Sequence, residues 1–376
     1  MNPATTEFLR QRFTEYYQKT ILVSPPSLEQ REWGFILFNP GAAETRMRRH
    51  IGFSSRDEMT SYIQNLIPQH AYFSTAYYEK PDAGTMAEKG WCGADLIFDL
   101  DADHIVRGPY DQMLARVKEE TLKLLDMLTI EFGMDKKTIE LVFSGGRGYH
   151  VHIRDLALRG WGSAERRELI DYVCGIGIDP AAMVAGNLPD GPSWQKRYRE
   201  TLAEYLGWLG GLPAEDAMGH LTGIDGVGKD SAATFLKNRP DILREVRARA
   251  PGMIFKNRVL AAIVAQPEGE FRKRLLSRAA LADEPVTTDT KRLIRMPTSL
   301  HGGSGMRVQS LEIRDLPDFD PLVDAVVFGT RDLRVNLSFN LKMPMLGSTY
   351  ELQKGITTVP EALAVFLCAR GIAEIA

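Results

Sequence analysis

The pattern of apolar and polar positions changes character twice along the chain. Apolar residues recur at helical spacing over residues 3–19, which predicts an N-terminal amphipathic helix. From about 32 to 160 the pattern is that of strands, interrupted by one predicted helix over about 111–132. The predicted strands are Gly34–Phe38, Met47–Phe53, Ala71–Tyr78, Ala94–Asp101, Thr138–Phe143 and Tyr149–Arg154.

Strand patterns disappear in the next stretch. From about 160 to 282 the periodicity is helical, and short strand patterns return at Arg292–Arg295 and Met306–Ile313 before a helix close to the end. The simplest architecture is one α/β domain, formed by residues 1–159 and 283–376, that holds an all-helical insertion subdomain at 160–282.

Composition is that of an ordinary intracellular globular protein. Of the 376 residues, 44% are hydrophobic and 25% are charged, and the longest apolar run, Ala362–Ala369, is far shorter than the roughly 20 residues of a membrane span. Three scattered cysteines argue against a disulfide scaffold. We therefore expect a cytoplasmic protein that does not bind membranes. The net charge of -3 means that any nucleic-acid binding must come from local basic patches.

The strand predicted over Ala94–Asp101 carries an unusual row of acids. Because side chains alternate along a strand, its leucines and phenylalanine face one side, and Asp95, Asp99 and Asp101 face the other. Aspartate is a poor strand former, and carboxylates two residues apart on one face repel each other. Such a row needs arginine, solvent or a hard cation such as Mg²⁺ or Mn²⁺. A solvated strand end is the alternative.

A glycine-rich turn, Ser144–Gly148, joins two predicted strands and contains Arg147. Glycines in a hairpin turn supply positive φ angles, and a simple hairpin is the alternative interpretation. That interpretation does not require an arginine among the glycines. Glycines let backbone N–H groups approach an anion, and a guanidinium can fork onto phosphate. The turn therefore predicts a phosphate site.

Two further segments are weaker signals. Gly223–Lys229 nearly fits a P-loop, but Asp230 stands where a hydroxyl must bind Mg²⁺. The same residues look like the glycine hairpin of a helix-hairpin-helix, a binder of the DNA backbone, and a plain helix connection is favoured over both. Asp283 precedes a stretch in which basic residues alternate before His301 and a Gly/Ser turn, which fits a metal or phosphate site. Asp283 as a simple N-cap is the alternative.

Together these segments resemble the small, catalytic subunit of archaeo-eukaryotic DNA primases, and the archaeal form in particular. The resemblance rests on Phe98–Asp101, Ser144–His150, Asp283–Thr287 and Arg292–Gly305, with support from Arg31–Phe35 and Arg49–His50. These motifs occur in the family's order over most of the chain. They imply an α/β primase catalytic core of mixed sheets with flanking helices, in addition to the helical insertion.

The resemblance also implies a role for individual residues. Asp99 and Asp101 match the family's metal-binding, catalytic aspartates, and Asp283 matches the third carboxylate of a two-metal site for Mg²⁺ or Mn²⁺. The residues that match nucleotide-binding positions are Ser144, Arg147, His150, Arg295, His301 and Arg49. Some relatives carry a Cys/His zinc module, but residues 102–143 here contain no cysteine and only His104, so we do not expect structural zinc.

The implied activity is DNA primase: a nucleotidyltransferase, with DNA-directed RNA polymerase activity, that makes short primers de novo on single-stranded DNA during replication. The implied partners are a primase large subunit in a heterodimer, the single-stranded template and nucleoside triphosphates, with the choice between NTPs and dNTPs left open. A repair-type template-dependent polymerase of the same fold, which extends existing ends, is the alternative. A non-catalytic binding subunit would lack an aspartate of the trio, and all three are present.

Overall fold

The computed structural model describes residues 2–38, 46–105, 108–180, 193–248 and 257–376. These residues form helices and antiparallel sheets, which confirms the predicted mixed α/β class. The chain divides into two compact units. The first comprises residues 1–122, 135–170 and 281–376, and the second comprises 123–134 and 171–280.

The strands lie in the first unit. They are β1 (Trp33–Leu37), β2 (Met47–Ile51), β3 (Pro68–Ser74), β4 (Ala76–Tyr78), β5 (Trp91–Ala94), β6 (Leu96–Asp101), β7 (Ile139–Phe143), β8 (Gly148–Ile153), β9 (Leu293–Arg295), β10 (Gln309–Leu311), β11 (Asp332–Leu337), β12 (Leu341–Met345), β13 (Ser348–Leu352), β14 (Gly355–Pro360) and β15 (Ala373–Ile375). Two four-stranded antiparallel sheets, in the orders β2-β1-β3-β9 and β10-β7-β8-β6, carry most of the predicted site residues. The remaining strands form smaller sheets of two or three.

The described helices are Pro3–Lys19, Arg56–Leu66, Ala102–Ile105, Tyr110–Asp126, Ser163–Cys174, Trp194–Gly211, Ala214–Thr222, Lys229–Arg247, Arg258–Ala265, Glu270–Leu276, Glu284–Thr288, Pro321–Asp324 and Glu361–Ala369. The N-terminal helix has the predicted bounds because Asn2 caps it: the side chain accepts a hydrogen bond from the Thr5 N–H at 2.7 Å. Within the described residues, none of the helices combines the length and the apolar character that a membrane span requires.

The main core packs the first sheet against helices Pro3–Lys19 and Arg56–Leu66. Alternation along β1 turns Trp33 and Phe35 inward, and both side chains are fully buried. Trp33 meets the ring of Phe53 edge-on, with centroids 5.3 Å apart. Val286, Ile294 and Leu300 of the chain's last third belong to the same core. The core thereby fixes the position of β9 and of the segment that follows it.

Two predicted strands are each divided in two. The segment Ala71–Tyr78 passes from β3 to β4 at Thr75, and Ala94–Asp101 passes from β5 to β6 at Asp95. The Asp95 N–H donates to the Thr75 carbonyl at 2.9 Å, so the two breaks support each other. Arg31 donates to the Ser74 and Thr75 carbonyls at 3.0 and 2.7 Å. The buried Arg31 therefore satisfies carbonyls where the chain passes from one sheet to the next.

The predicted helix over 111–132 and the predicted strand at Met306–Ile313 are both shorter than expected. The α-helix ends at Asp126 and a single π-helical turn, Met127–Glu131, follows it. Only Gln309–Leu311 forms a strand, which pairs with β7. Helix Arg56–Leu66 and strands β11 to β15 were not predicted.

In the second unit the described residues form helices, as the periodicity predicts. Helix Ala214–Thr222 leads through a glycine hairpin into helix Lys229–Arg247. Gly226 has φ +78°, which favours glycine at this turn. A P-loop would require a strand before the glycines, and a helix stands there instead. The buried Leu221, Ile224 and Val227 hold the hairpin against its helices.

Candidate active site

Two neighbouring strands hold the first carboxylates of the site. In the antiparallel pair β6 and β8, Asp99 lies opposite His150 and Asp101 lies opposite Gly148. His150 Nε2 is 3.6 Å from Asp99 Oδ1. Burial, aided by the nearby Arg295 and Arg292, lowers the pKa of His150 to about 3. His150 is therefore neutral near pH 7 and does not neutralise Asp99.

Asp283 joins this pair through its backbone, since its N–H donates to the Asp99 carbonyl at 2.8 Å. Asp283 occupies the N-cap position of helix Glu284–Thr288, as the alternative interpretation expects, but its side chain makes no capping hydrogen bond. The Asp283 carboxylate therefore does not cap the helix and can bind a ligand.

The three carboxylates act on one another electrostatically. Burial raises the pKa of Asp99 to about 7, and the charges of Asp101 and Asp283 add to that rise. Arg292 and Arg295 act in the opposite direction without cancelling it. An anionic site of this kind is costly unless a cation shares it.

The donor set fits a divalent cation in charge and in ligand type. Carboxylate oxygens are the ligands that Mg²⁺ and Mn²⁺ prefer, and a metal ion would relieve the repulsion that raises the pKa of Asp99. Among the described residues, no three His, Cys, Asp or Glu side chains form a ready-made cluster around one point. The fit is therefore one of charge and ligand chemistry.

The glycine turn packs where only glycine can stand. A Cβ on Gly148 would lie 2.2 Å from the Leu100 carbonyl oxygen, and a Cβ on Gly145, at φ +74°, would lie 2.8 Å from His301 Cβ. Ser144 Oγ accepts hydrogen bonds from the Gly146 and Gly148 N–H groups, both at 3.3 Å. The turn is thereby tied both to β6 and to the chain around His301.

Arg147 projects from this turn toward the acidic strand. Its guanidinium is hydrogen-bonded to Asp103, and its Nε lies 4.0 Å from Asp101 Oδ1. The side chain is 29% exposed, so it remains accessible to a ligand. An arginine beside the carboxylates can bridge them and a phosphate group.

Arg295 and His301 also line the cavity of this site. Arg295 donates from Nη1 to His70 Nδ1 at 2.6 Å and lies over the Tyr72 ring, 5.1 Å from its centroid. Burial and then Arg295 hold the pKa of His301 well below its usual value. His301 is thus neutral, and its ring meets that of His70 edge-on at 5.1 Å. Burial and then Arg295 also lower the pKa of His70 to about 3, so both histidines beside this guanidinium are neutral.

These side chains share one cavity of about 500 Å³. The predicted residues that line it are Asp99, Asp101, Ser144, Arg147, His150, Arg295 and His301. Asp283 is joined to it through the Asp99 carbonyl. Arg49 is not among the residues that line this cavity. It lies on β2, and its Nε is 3.0 Å from Glu32 Oε1. That strand is at the opposite edge of its sheet from β9, roughly 14 Å away at three strand spacings.

Comparison with known proteins identifies the family of this chain. A family model described as DNA primase small subunit matches residues 98–313. Proteins named DNA primase small subunit PriS from Methanoregula boonei, Methanosphaerula palustris and Methanothrix thermoacetophila are 72%, 54% and 42% identical to this chain. Each alignment covers 100% of this chain and at least 99% of the relative. The chain belongs to the DNA primase small subunit family.

Membership confirms the resemblance seen in the motifs, and it places the chain among the primases, which are nucleotidyltransferases of DNA replication. The matched residues 98–313 contain every predicted site residue except Arg49. The roles assigned to those residues stay predictions, and so does the division of the chain into an α/β domain at 1–159 and 283–376 and a helical insertion at 160–282.

Three polar side chains that line the cavity of this primase family member were not predicted as site residues. Arg292 belongs to the basic run before His301, so the sequence carried a signal for it. Tyr72 on β3 and Arg370 after helix Glu361–Ala369 also line the cavity. Neither stands in a motif, and only the fold brings them to the carboxylates.

Proposed function

We propose that this chain is the catalytic subunit of a DNA primase, which synthesises short primers de novo on single-stranded DNA by two-metal nucleotidyl transfer. The observation that carries the proposal is one cavity lined both by mutually repelling carboxylates and by basic side chains, with Arg147 on the glycine turn and Arg295 on β9. Carboxylates of this kind suit metal ions, and the basic side chains suit a triphosphate.

Asp99, Asp101 and Asp283 would hold two Mg²⁺ or Mn²⁺ ions. Such ions, when bound, lower the pKa of the primer 3′-hydroxyl and offset charge on the leaving pyrophosphate. The aspartates contribute their position: the pairing of β6 with β8 and the hydrogen bond from the Asp283 N–H bring segments nearly 190 residues apart in sequence together. His150 remains neutral beside Asp99, so it does not compete for the carboxylate as a cation.

The basic side chains of the cavity would bind the incoming nucleotide. Ser144 shapes the turn, and Arg147 presents a fork to phosphate oxygens next to Asp101. His70 and Tyr72 hold Arg295 in one orientation, so little side-chain entropy is lost when it binds an anion. His301, being neutral, can donate a hydrogen bond without adding a charge.

We further propose a heterodimer with a primase large subunit, since the relatives are named as small subunits. The template would be single-stranded DNA, held through its backbone by basic residues outside the cavity. Because the triphosphate contacts described above do not involve the sugar, the same clamp would serve NTPs and dNTPs.

The test is primer synthesis on unprimed single-stranded DNA with the large subunit present. Mg²⁺ and Mn²⁺ are supplied separately, as are NTPs and dNTPs, and the Asp99→Asn/Asp101→Asn variant is the control. De novo product in the wild type and none in the variant would support the proposal. Extension of pre-made primers alone would favour the repair-type polymerase, and absence of any product would favour a binding subunit.

A further inference from the structure

Arg370 is a cation of the cavity to which the proposed mechanism assigns no role. It follows helix Glu361–Ala369 and lines the same cavity as Arg147 and Arg295. Its guanidinium carbon lies 4.7 Å from the centroid of the Tyr110 ring and 5.6 Å from that of Phe366. In the part of the chain that the structure describes, no carboxylate lies within ion-pair distance of it. An arginine held on aromatic faces beside a cavity retains its hydrogen-bond donors for a ligand.

Tyr110 connects Arg370 to the glycine turn. The Tyr110 hydroxyl donates to the Gly146 carbonyl at 2.6 Å, while its ring supports the guanidinium. The Phe366 ring meets the Tyr110 ring edge-on at 5.2 Å, which limits its rotation. One rigid side chain thus holds Arg370 in position relative to the turn that carries Arg147.

Arg370 lies beside the glycine turn that carries Arg147, since Tyr110 contacts both. Arg147 is 4.0 Å from Asp101, and Arg147, Arg370 and Asp101 all act on the pKa of Tyr110, the two arginines lowering it and the aspartate raising it. Arg147 and Arg370 are therefore the arginines of the cavity that adjoin the turn, and Arg147 also adjoins Asp101. If the reacting phosphate binds beside the carboxylates, the remaining phosphates would come within reach of these two arginines.

We propose that Arg370, supported by Tyr110, forms an anion subsite for the terminal phosphates of the nucleoside triphosphate and for the pyrophosphate that leaves. This inference rests on the proposed function, since it assumes a nucleotide in the cavity. The competing explanation is structural, because a cation at a helix C-terminus stabilises the helix whether or not a ligand binds. A test must therefore separate phosphate binding from local stability.

The experiment measures equilibrium binding of ATP and of pyrophosphate to the full chain by calorimetry in Mg²⁺. We expect Arg370→Ala to weaken both about tenfold, the loss typical of one charged hydrogen-bonding contact. Arg370→Lys keeps the charge but not the fork, so it falls between Ala and wild type. The matched control is Arg334→Ala, which removes an exposed arginine of β11 outside the cavity and leaves both affinities unchanged.

A second readout separates a ligand contact from a structural effect. Binding of Mn²⁺ alone, measured by electron paramagnetic resonance without nucleotide, should be the same in Arg370→Ala and wild type. Loss of Mn²⁺ binding in that variant, or unchanged affinity for ATP and pyrophosphate, would overturn the subsite. If wild type binds neither ATP nor pyrophosphate, the proposed function itself fails, and the subsite fails with it.

Discussion

Asp95 and Asp99 stand four residues apart and have opposite surroundings. The Asp95 side chain is 1% exposed, and it accepts hydrogen bonds from Arg31 Nη2 at 2.8 Å and from the Tyr77 hydroxyl at 2.6 Å. The Asp99 side chain is 20% exposed, and its neighbour at 3.6 Å is the neutral His150. The more deeply buried aspartate has its charge balanced, whereas the less buried one does not.

The difference shows which carboxylate is structural and which is available for chemistry. A buried charge with an arginine partner holds the fold together, and removing either partner exposes the other to an apolar interior. A carboxylate placed among further carboxylates is unfavourable in the free protein and becomes favourable only with a cation. Unbalanced charge, rather than depth of burial, marks the site.

The largest expected effect is on catalysis. Asp101→Asn should reduce primer synthesis by about 10³-fold or more, because a metal ligand contributes several kcal/mol of transition-state stabilisation. The fold should remain intact, since the substitution removes a repulsive charge. Primer assays paired with circular dichroism test both statements, and near-normal synthesis by a folded variant would contradict the metal assignment.

Asp95→Asn should instead lower the stability of the fold. Loss of its charge leaves Arg31 buried without its ionic partner, which costs about 3–5 kcal/mol of unfolding free energy. Urea denaturation measures that loss. Arg10→Ala, which breaks an exposed pair with Glu7, is the control and should leave stability nearly unchanged. A drop for Asp95→Asn no larger than that of the control would abolish the distinction between the two aspartates.

A third effect depends on pH. The pKa of Asp99 is raised to about 7 in the folded protein, so between pH 5 and 7 the folded state binds more protons than the unfolded state. Relative to Asp99→Asn, wild type therefore loses stability as pH rises through this window, by about 1 kcal/mol per pH unit. Metal-free urea denaturation at three pH values tests this. Parallel pH profiles for the two proteins would show that Asp99 is not desolvated.

The smallest expected effect concerns the nucleotide. Arg147→Ala should raise the KM for nucleotide about tenfold while changing kcat less, because it removes a phosphate contact next to Asp101. Steady-state primer synthesis at varied nucleotide concentration measures it. Arg334→Ala serves as the control, and an equal KM for Arg147→Ala and wild type would remove Arg147 from the triphosphate site.

Local pattern was sufficient to locate most of the site. Alternation on β6 and glycines beside an arginine reflect backbone rules that act over a few residues, so Asp99, Asp101 and Arg147 could be found from sequence. The same alternation placed Asp95 on the same strand face as Asp99 and Asp101. Its separate role depends on Arg31, 64 residues away, and on a strand break that no local rule requires.

Arg370 and the strands β11 and β12 were not predicted, and the physical reason differs for each. Arg370 reaches the cavity only through the packing of Phe366 on Tyr110, a contact across more than 250 residues. Strand β11 did carry a usable signal, since Leu333, Val335 and Leu337 alternate with polar residues. Strand β12 did not, because Pro344 within it argues against a strand.

The glycine turn and the second unit differ in how much change in sequence they tolerate. The chain leaves the first unit after Ile170 and returns at Leu281. The entropy of closing a loop grows only with the logarithm of its length, so even a doubling costs about 0.6 kcal/mol. Insertions and deletions between these points should therefore spare the meeting of Asp99 with Asp283. At Gly148 a single added methyl group would collide with the Leu100 carbonyl. Over evolutionary time, dozens of residues of the second unit are therefore more easily exchanged than the one hydrogen that a methyl group would replace at Gly148.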